Sequence, residues 1–439
     1  MLRSFRLANH RSFRDEQELL LMPSYDNDRD VVLLAAVFGA NASGKSNLVD
    51  GLRLMWNLVR GWGRREPDSG IPRRPFRLER ESLLKPSRFE IELVLEGVRY
   101  IYGFAVDDER VISERLHSYP HRRPRLLFER DGDSIDFGST VTQRTRAEVI
   151  EDLLTEDTLF LAAASRLKLD QYRPVIEWFR RSLRFVRPGR LFRSDGERLT
   201  RFLEQSDSGR ARFVELARAA DVGISGVAVE YVDDPVAAAE ADAVQEMAAQ
   251  LETRIAGVDV EGLDALAEQL RRAQTQAAFF RERSHRAKLL VKHGGIGFEL
   301  PDESEGTQVW LHLIPEIIAS LDSGHTLVID ESGTSLHPLL VRKLVGLFRE
   351  PSTNVNNAQL LFTTHDALLL APVAGEPGLD RDQVWFVEKH LDGASELYPL
   401  TDFKPRNEHN LARRYLGGAY GAVPILDGFD QLGSRVAAD

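Results

Sequence analysis

The sequence predicts an α/β fold: a head built on a mixed sheet, an antiparallel β subdomain, and an inserted helical subdomain carrying a short helical hairpin. Three observations predict it. An apolar run, Val31 to Phe38, leads through a glycine-containing loop into helical periodicity. Residues Phe89 to Tyr119 alternate in polarity, as strands of an antiparallel meander do. From residue 285 onward, short apolar strands alternate with helices, the pattern of a parallel sheet.

The elements follow in order. Leu2 to Leu7 alternates roughly and reads as a short strand, Val31 to Phe38 as a buried one, and Ser46 to Val59 as a helix. Residues 60 to 88 are rich in Gly, Pro and Arg and lack a clean period, and the meander that follows turns near Asp107 and Asp108. Helical patterning returns from about Thr145. Between Arg173 and Arg201, nine arginines interleave Trp178, Phe179, Phe185 and Phe192. An amphipathic helix with its aromatics inward is the favoured reading of that stretch, and a phosphate-contacting surface is the other. Further on, Leu263, Leu266, Leu270, Ala273, Ala277 and Phe280 are spaced 3,4,3,4,3. Val244, Met247, Leu251 and Ile255 form a matching stripe before the Gly257 to Gly262 turn, so the pair reads as an antiparallel helical hairpin, packed or protruding. Strands are expected at Lys288 to Val291, His325 to Ile329, Leu360 to Thr363 and Val384 to Val387. The expected divisions are 1–140, 141–285 and 286–439.

Composition removes several classes. At 43% hydrophobic and 28% charged the chain is ordinary for a globular protein. No apolar run approaches the about 20 residues of a spanning helix, and no secretory signal is visible, so a cytoplasmic protein without membrane partners is expected. With no cysteine there is no disulfide framework, no thiolate nucleophile and no cysteine-bound zinc. A net charge of -11 argues against a chain coated in nucleic acid. Basic residues slightly outnumber acidic ones up to residue 200, however, and acidic ones dominate afterwards.

Chemistry enters with Gly39-Ala40-Asn41-Ala42-Ser43-Gly44-Lys45-Ser46, which fits G-x-x-x-x-G-K-[ST] between a buried strand and a helix. Such a loop turns its backbone amides toward phosphate oxygens, and Asn47 continues it into the helix. Lys45 is placed to neutralise β- and γ-phosphate charge, and Ser46 to ligate Mg²⁺. Thr326-Leu-Val-Ile-Asp-Glu331 supplies the complementary strand, ending in Asp330 as a second Mg²⁺ ligand and Glu331 to polarise an attacking water. ATP and Mg²⁺ are therefore the expected cofactors, and no Asn-Lys-x-Asp guanine motif occurs.

These residues resemble the ABC-type ATPase superfamily, on the branch with SMC, RecF and OLD-like proteins. Ser335-Leu336-His337-Pro338 looks like the D-loop of that branch. His365, in Thr363-Thr364-His365-Asp366, sits at the switch-histidine position, and Ser304-Glu305-Gly306-Thr307 looks like a short signature. More narrowly, the chain is similar to the prokaryotic AAA-type ATPases of family fifteen, many of them from abortive-infection and anti-phage loci. The likeness runs from Asn9-His10-Arg11-Ser12-Phe13, through Phe38-Gly-Ala-Asn-Ala-Ser-Gly-Lys-Ser-Asn-Leu48, to Trp385-Phe-Val-Glu-Lys389, Asp402-Phe-Lys404 and Tyr420-Gly-Ala422. The signature lacks its leading Leu and second glycine, and Gln143 and Gln171 both stand as Q-loop candidates.

The resemblance implies an ABC-type head that forms a head-to-tail homodimer, or a larger homo-oligomer, around two ATP molecules. Ser304 and Gly306 of one subunit would cap the γ-phosphate held by Lys45 of the other. Glu331 would orient the water, His365 would clamp the γ-phosphate, and Arg11 and Ser12 would lie near the nucleotide. Hydrolysis would open the dimer and gate a separately encoded nuclease effector or a nucleic-acid transaction. A transporter subunit is disfavoured by the incomplete signature. An intrinsic nuclease is disfavoured because Asp380 and Asp382 have no partnering acid upstream. A nucleotide-dependent scaffold with little turnover remains the other reading.

Overall fold

The computed structural model describes residues 1–24, 30–61, 70–142, 144–151, 154–166, 169–186, 196–220, 223–255, 263–331, 336–373, 375–404 and 410–424. The chain forms two compact units, Met1–Pro188 with Ala319–Asp439, and Gly189–Ile318. These limits differ from the expected divisions: residues 141–188 belong with the head, and residues 286–318 with the inserted unit.

The first unit begins with strands β1 (Leu2–Ala8), β2 (Gln17–Leu20) and β3 (Leu34–Phe38), then helices α1 (Lys45–Arg60) and α2 (Arg80–Leu84). Strands β4 (Ser87–Leu95), β5 (Val98–Val106), β6 (Val111–Tyr119), β7 (Arg125–Asp131) and β8 (Ser134–Phe137) follow. All but β3 join one antiparallel sheet in the order β2-β1-β4-β5-β6-β7-β8. The expected meander is thus the middle of a seven-stranded sheet that recruits the N-terminal strand. In β4, Ser87, Phe89, Ile91 and Leu93 are buried while the residues between them are not, the two-residue period that puts one face on the core.

Helices α3 (Arg144–Glu151), α4 (Phe160–Ala164) and α5 (Arg173–Glu177) lead through a π-helical turn, Trp178–Ser182, into strand β9 (Leu183–Val186). The Arg-rich stretch is therefore not one amphipathic helix. Trp178 and Phe179 are buried as expected, but Leu183–Val186 is extended and pairs with the strand starting at Thr326. The strand is short and lies at a sheet edge, so Arg184 and Phe185 stay half-buried and leave no readable alternation. Trp56 packs on Phe185 at 5.5 Å, and Arg53 lies over the same ring at 5.2 Å. Phe192 lies outside the described residues.

The second unit holds α6 (Gly196–Gln205), α7 (Asp207–Ala219), β10 (Ile224–Asp233), α8 (Pro235–Ile255), α9 (Leu263–Ser284), β11 (His285–His293), β12 (Ile296–Glu299) and the start of α10 (Glu305–Ser323). Strands β10, β11 and β12 make an antiparallel sheet of their own, so Lys288 to Val291 does not enter the parallel sheet as expected. Helices α8 and α9 pack on each other through Ala248, Leu251 and Ala273, with Val244, Leu266 and Leu270 alongside. Met247 falls off that stripe and is 57% exposed, because Ala248 takes its place. The Gly257 to Gly262 turn lies outside the described residues.

Returning to the first unit, β13 (Thr326–Ile329), α11 (Pro338–Arg349), β14 (Gln359–Thr364), β15 (Val384–Lys389), β16 (Ser395–Pro399) and α12 (Leu411–Leu416) complete the chain. Six strands form the central sheet in the order β16-β15-β3-β14-β13-β9. Its pairs are parallel except β15 with β16, which makes the sheet mixed. Every residue of β3 is buried, as a central strand covered on both faces requires. Near its C-terminal end, Phe386 stacks on Tyr415 and Tyr420 at 5.5 and 5.7 Å and meets Phe38 at 6.2 Å. Phe403 and Tyr398 close this cluster, so the C-terminal motifs of the sequence converge on the strand that feeds the loop. Burial pushes the Tyr415 hydroxyl up to about 12.

Gln359 fastens the two sheets of this unit together. Its Oε1 accepts from Leu2 N at 2.6 Å and Thr326 Oγ1 at 3.1 Å, and its Nε2 donates to Leu2 O at 2.8 Å and Val32 O at 3.2 Å. Gln359→Leu keeps the bulk and strands these buried groups. It is expected to cost about 2 to 4 kcal/mol, read as a lower denaturant midpoint at unchanged slope.

Candidate functional site

The C-terminal end of β3 releases the chain into Gly39–Ser46, and α1 begins at Lys45 with no side chain capping its N-terminus. Gly44 needs to be glycine. Its φ is +121°, and a Cβ there would meet Ser395 Oγ at 2.5 Å and Ser12 Oγ at 2.8 Å. A Cβ on Gly39 would run into the carbonyl of Val387. Asn41 and Ala42 are exposed at the tip, Ala42 at φ 63°. Ser43 is buried, and its Oγ has no hydrogen-bond partner, an orphan donor inside a loop of the kind that holds phosphate. Lys45 is 8% exposed, and its Nζ donates to Gly39 O at 2.8 Å and Ala40 O at 2.9 Å. Burial pulls its ammonium below the ordinary lysine value, against the opposing charges of Glu331 and Asp330.

Two strands away in the sheet, β13 ends at Ile329 and delivers Asp330, which is 2% exposed. Its amide donates to Val186 O at 3.1 Å, and its Oδ1 accepts from Ser46 Oγ at 3.0 Å. Glu331 is exposed and held at φ 62°, a left-handed conformation that costs a non-glycine residue about 1 kcal/mol. Thr363 on the neighbouring β14 touches both acids. Its Oγ1 accepts from Glu331 N at 2.6 Å and donates to Asp330 Oδ1 at 3.1 Å. His365 follows directly after β14 and is exposed.

The donor set fits Mg²⁺. Adjacent ligands of an octahedral ion with bonds near 2.1 Å sit about 3.0 Å apart, and the Ser46 and Asp330 oxygens are separated by 3.0 Å. They form a hard pair, one hydroxyl and one carboxylate, at the foot of a phosphate-type loop. An ion held there would neutralise charge on phosphate oxygens.

A third element braces the loop from outside. Ser12 Oγ accepts from Asn47 Nδ2 at 2.7 Å and lies 2.8 Å from Ser395 Oγ. Ser395 Oγ also reaches Ser43 O at 2.5 Å, and Ser395 N donates to Ser12 O at 2.7 Å. The sequence offers no signal for Ser395, which lies more than 350 residues beyond Ser43 in the chain. Arg11, at φ 54°, turns its guanidinium to Asp50 on α1, which also meets His10 Nε2 at 3.2 Å. Burial would raise the Asp50 carboxyl, but bonds from His10 and Arg11 prevail and hold it well below the usual carboxylate range. A carboxylate so depressed stabilises the fold above its unfolded value near pH 4, and that contribution is lost as the pH falls further. Asp50→Asn should therefore lower stability by about 1 to 2 kcal/mol at pH 7. The gap to the parent protein should narrow when melts are repeated below about pH 4.

A family model described as "AAA domain, putative AbiEii toxin, Type IV TA system" matches residues 34–371, well over half of the chain. The match opens on the first residue of β3 and takes in Gly39–Ser46, Asp330, Glu331, Thr363 and His365. The chain belongs to this AAA-domain family. No curated protein matches it. Ser12 and Ser395 fall outside the matched span of the AAA domain, although their hydroxyls wall its loop.

Ser304, expected in the signature of this AAA-family chain, starts α10: its Oγ accepts from Thr307 N at 3.2 Å and lies 2.9 Å from Thr307 Oγ1. Ser304 and Glu305 are exposed and Gly306 is half-buried. Leu336 is buried, and His337 caps α11 by accepting from Leu339 N at 3.3 Å. Ser335 lies outside the described residues, as does Gln143. Gln171 accepts from Thr142 N at 3.0 Å. Asp380 caps a short 3₁₀ turn and pairs with Gln383 at 3.1 Å, a structural task for the first acid of that Asp-x-Asp. Among the described residues, no three His, Asp or Glu side chains gather to hold a metal ion, and no helix is long and apolar enough to cross a membrane.

Proposed function

We propose that this chain is an Mg²⁺-dependent ATP-binding and ATP-hydrolysing head of the ABC type. In this reading Lys45 and the Gly39–Asn47 loop hold the phosphates, Ser46 and Asp330 hold Mg²⁺, and Glu331 orients the attacking water. His365 contacts the γ-phosphate. The observation that carries the reading is the Ser46–Asp330 pair, set at Mg²⁺-ligand spacing at the foot of a lysine-bearing loop. Arg11 and Ser12 border the nucleotide in this reading, Ser12 through the hydroxyl network and Arg11 through its bond to Asp50. ATP closes two copies head to tail, with Ser304, Glu305 and Gly306 of each facing the other's nucleotide beside the D-loop Ser335, Leu336 and His337. The exposed start of α10 supports this, because a helix N-terminus stabilises anionic oxygen.

Hydrolysis then opens the dimer and releases or restrains an effector, such as a separately encoded nuclease or bound nucleic acid. The toxin–antitoxin description of the matched family favours an abortive-infection or anti-phage setting. The narrower likeness to family fifteen, on the SMC, RecF and OLD branch, is part of the same proposal. The test is phosphate release by the purified protein, with Mg²⁺ and with EDTA. Release that needs Mg²⁺ supports the reading. ATP binding with negligible release would shift it to a nucleotide-dependent scaffold, and no binding at millimolar ATP would remove it.

A further inference from the structure

We infer that Thr363 is a positioning residue, tying both acidic groups of the site to the strand that leads into His365. The inference rests on the proposed reading of the site and adds a residue to it. Parallel pairing of β13 with β14 sets Ile329 opposite Phe362, so the next residue on β14 comes beside Asp330. That residue is Thr363, fully buried, and its single hydroxyl is used twice. As acceptor it takes the Glu331 amide at 2.6 Å, and as donor it meets Asp330 Oδ1 at 3.1 Å.

Both bonds act on geometry that the chemistry needs. Glu331 leaves the strand in a left-handed conformation, and the bond to its amide helps hold that turn, which aims the carboxylate. Asp330 Oδ1 receives the Thr363 hydroxyl from one neighbour and the Ser46 hydroxyl from another, so its plane is fixed from two directions. His365 follows two residues on, just past the end of the same strand. A shift of β14 at the γ-phosphate would therefore reach Asp330 and Glu331 through one oxygen.

A residue that merely fills space would behave differently from one that supplies this hydroxyl. Thr363→Val keeps the shape and removes the hydroxyl, and Thr363→Ser keeps the hydroxyl. Lys45 and the loop amides are untouched by either change. ATP affinity in EDTA should therefore stay within about twofold of the parent, read with a fluorescent ATP analogue. The gain in affinity on adding Mg²⁺ should shrink about tenfold in Thr363→Val, the effect of one lost bond to a charged group. Thr363→Ser should restore it, and phosphate release should follow the same order.

A Thr363→Val protein that keeps the full Mg²⁺-dependent gain, or a Thr363→Ser protein that loses it equally, overturns the role of Thr363 and leaves the site reading standing. A parent protein without Mg²⁺-dependent ATP binding overturns the site reading and this inference with it. If Thr363→Val does not fold, Thr363→Ala compared with Thr363→Ser decides between the same outcomes.

Discussion

Lys45→Ala is expected to abolish ATP binding, weakening it at least about a hundredfold. The change removes a cation held in the mouth of the loop, where burial already disfavours its charge. Its Nζ is satisfied by the carbonyls of Gly39 and Ala40, which keep the ammonium inside the loop proposed to hold the phosphates. Those bonds also support the loop, so the substitution acts on its shape as well as its charge. Comparing melts of the two proteins without nucleotide separates the effects. A variant that melts with the parent but no longer binds has lost the cation alone. Calorimetric titration with ATP reads the affinity, and equal affinity in the two proteins would remove Lys45 from the site.

The sequence revealed the parts of this site that are contiguous and missed those brought in by folding. Gly39 to Ser46 lies between a strand and a helix, and both neighbours could be read from periodicity, so pattern and context agreed. Asp330 and Glu331 end an apolar run that could hardly be anything but a buried strand. Ser395 and Thr363 are different. Ser395 reaches the loop because β16 turns back antiparallel on β15, which adjoins β3, and no local pattern announces that register. Thr363 stands two residues before His365 in the same motif, yet the two bonds of its hydroxyl depend on strand order.

The fold shows the same division. Helix α1, the antiparallel sheet and the hairpin pair announce themselves through periods of 3.6, 2 and 3.5 residues. The Arg-rich stretch failed because a five-residue helix, a π turn and a four-residue edge strand are each shorter than the window in which a period can be seen. Aromatic residues at mixed spacing then looked like one helical face. Strand β11 is legible as a strand, but periodicity cannot say which sheet a strand will join.

Glu331→Gln should do the opposite of Lys45→Ala, retaining ATP while stopping its turnover. Glutamine keeps the length of the side chain and changes nothing in the backbone, so the left-handed turn and the bond from its amide to Thr363 should persist. What it lacks is the charge that, in the proposed reading, draws a proton from water. Loss of a general base lowers phosphate release by about a hundredfold or more. If ATP joins two heads, as proposed, this variant should accumulate as a dimer in ATP and Mg²⁺ and revert when EDTA is added, with light scattering reading the mass. Lys45→Ala should show no such growth under the same conditions. A Glu331→Gln protein that stays monomeric in saturating ATP would sink the sandwich while leaving nucleotide binding intact. If its mass were already doubled without ATP, the assembly would depend on contacts other than those to the nucleotide. Adding Ser304→Arg to Glu331→Gln separates the cases, because a bulky cation at the exposed start of α10 should abolish only a dimer that closes through that helix end.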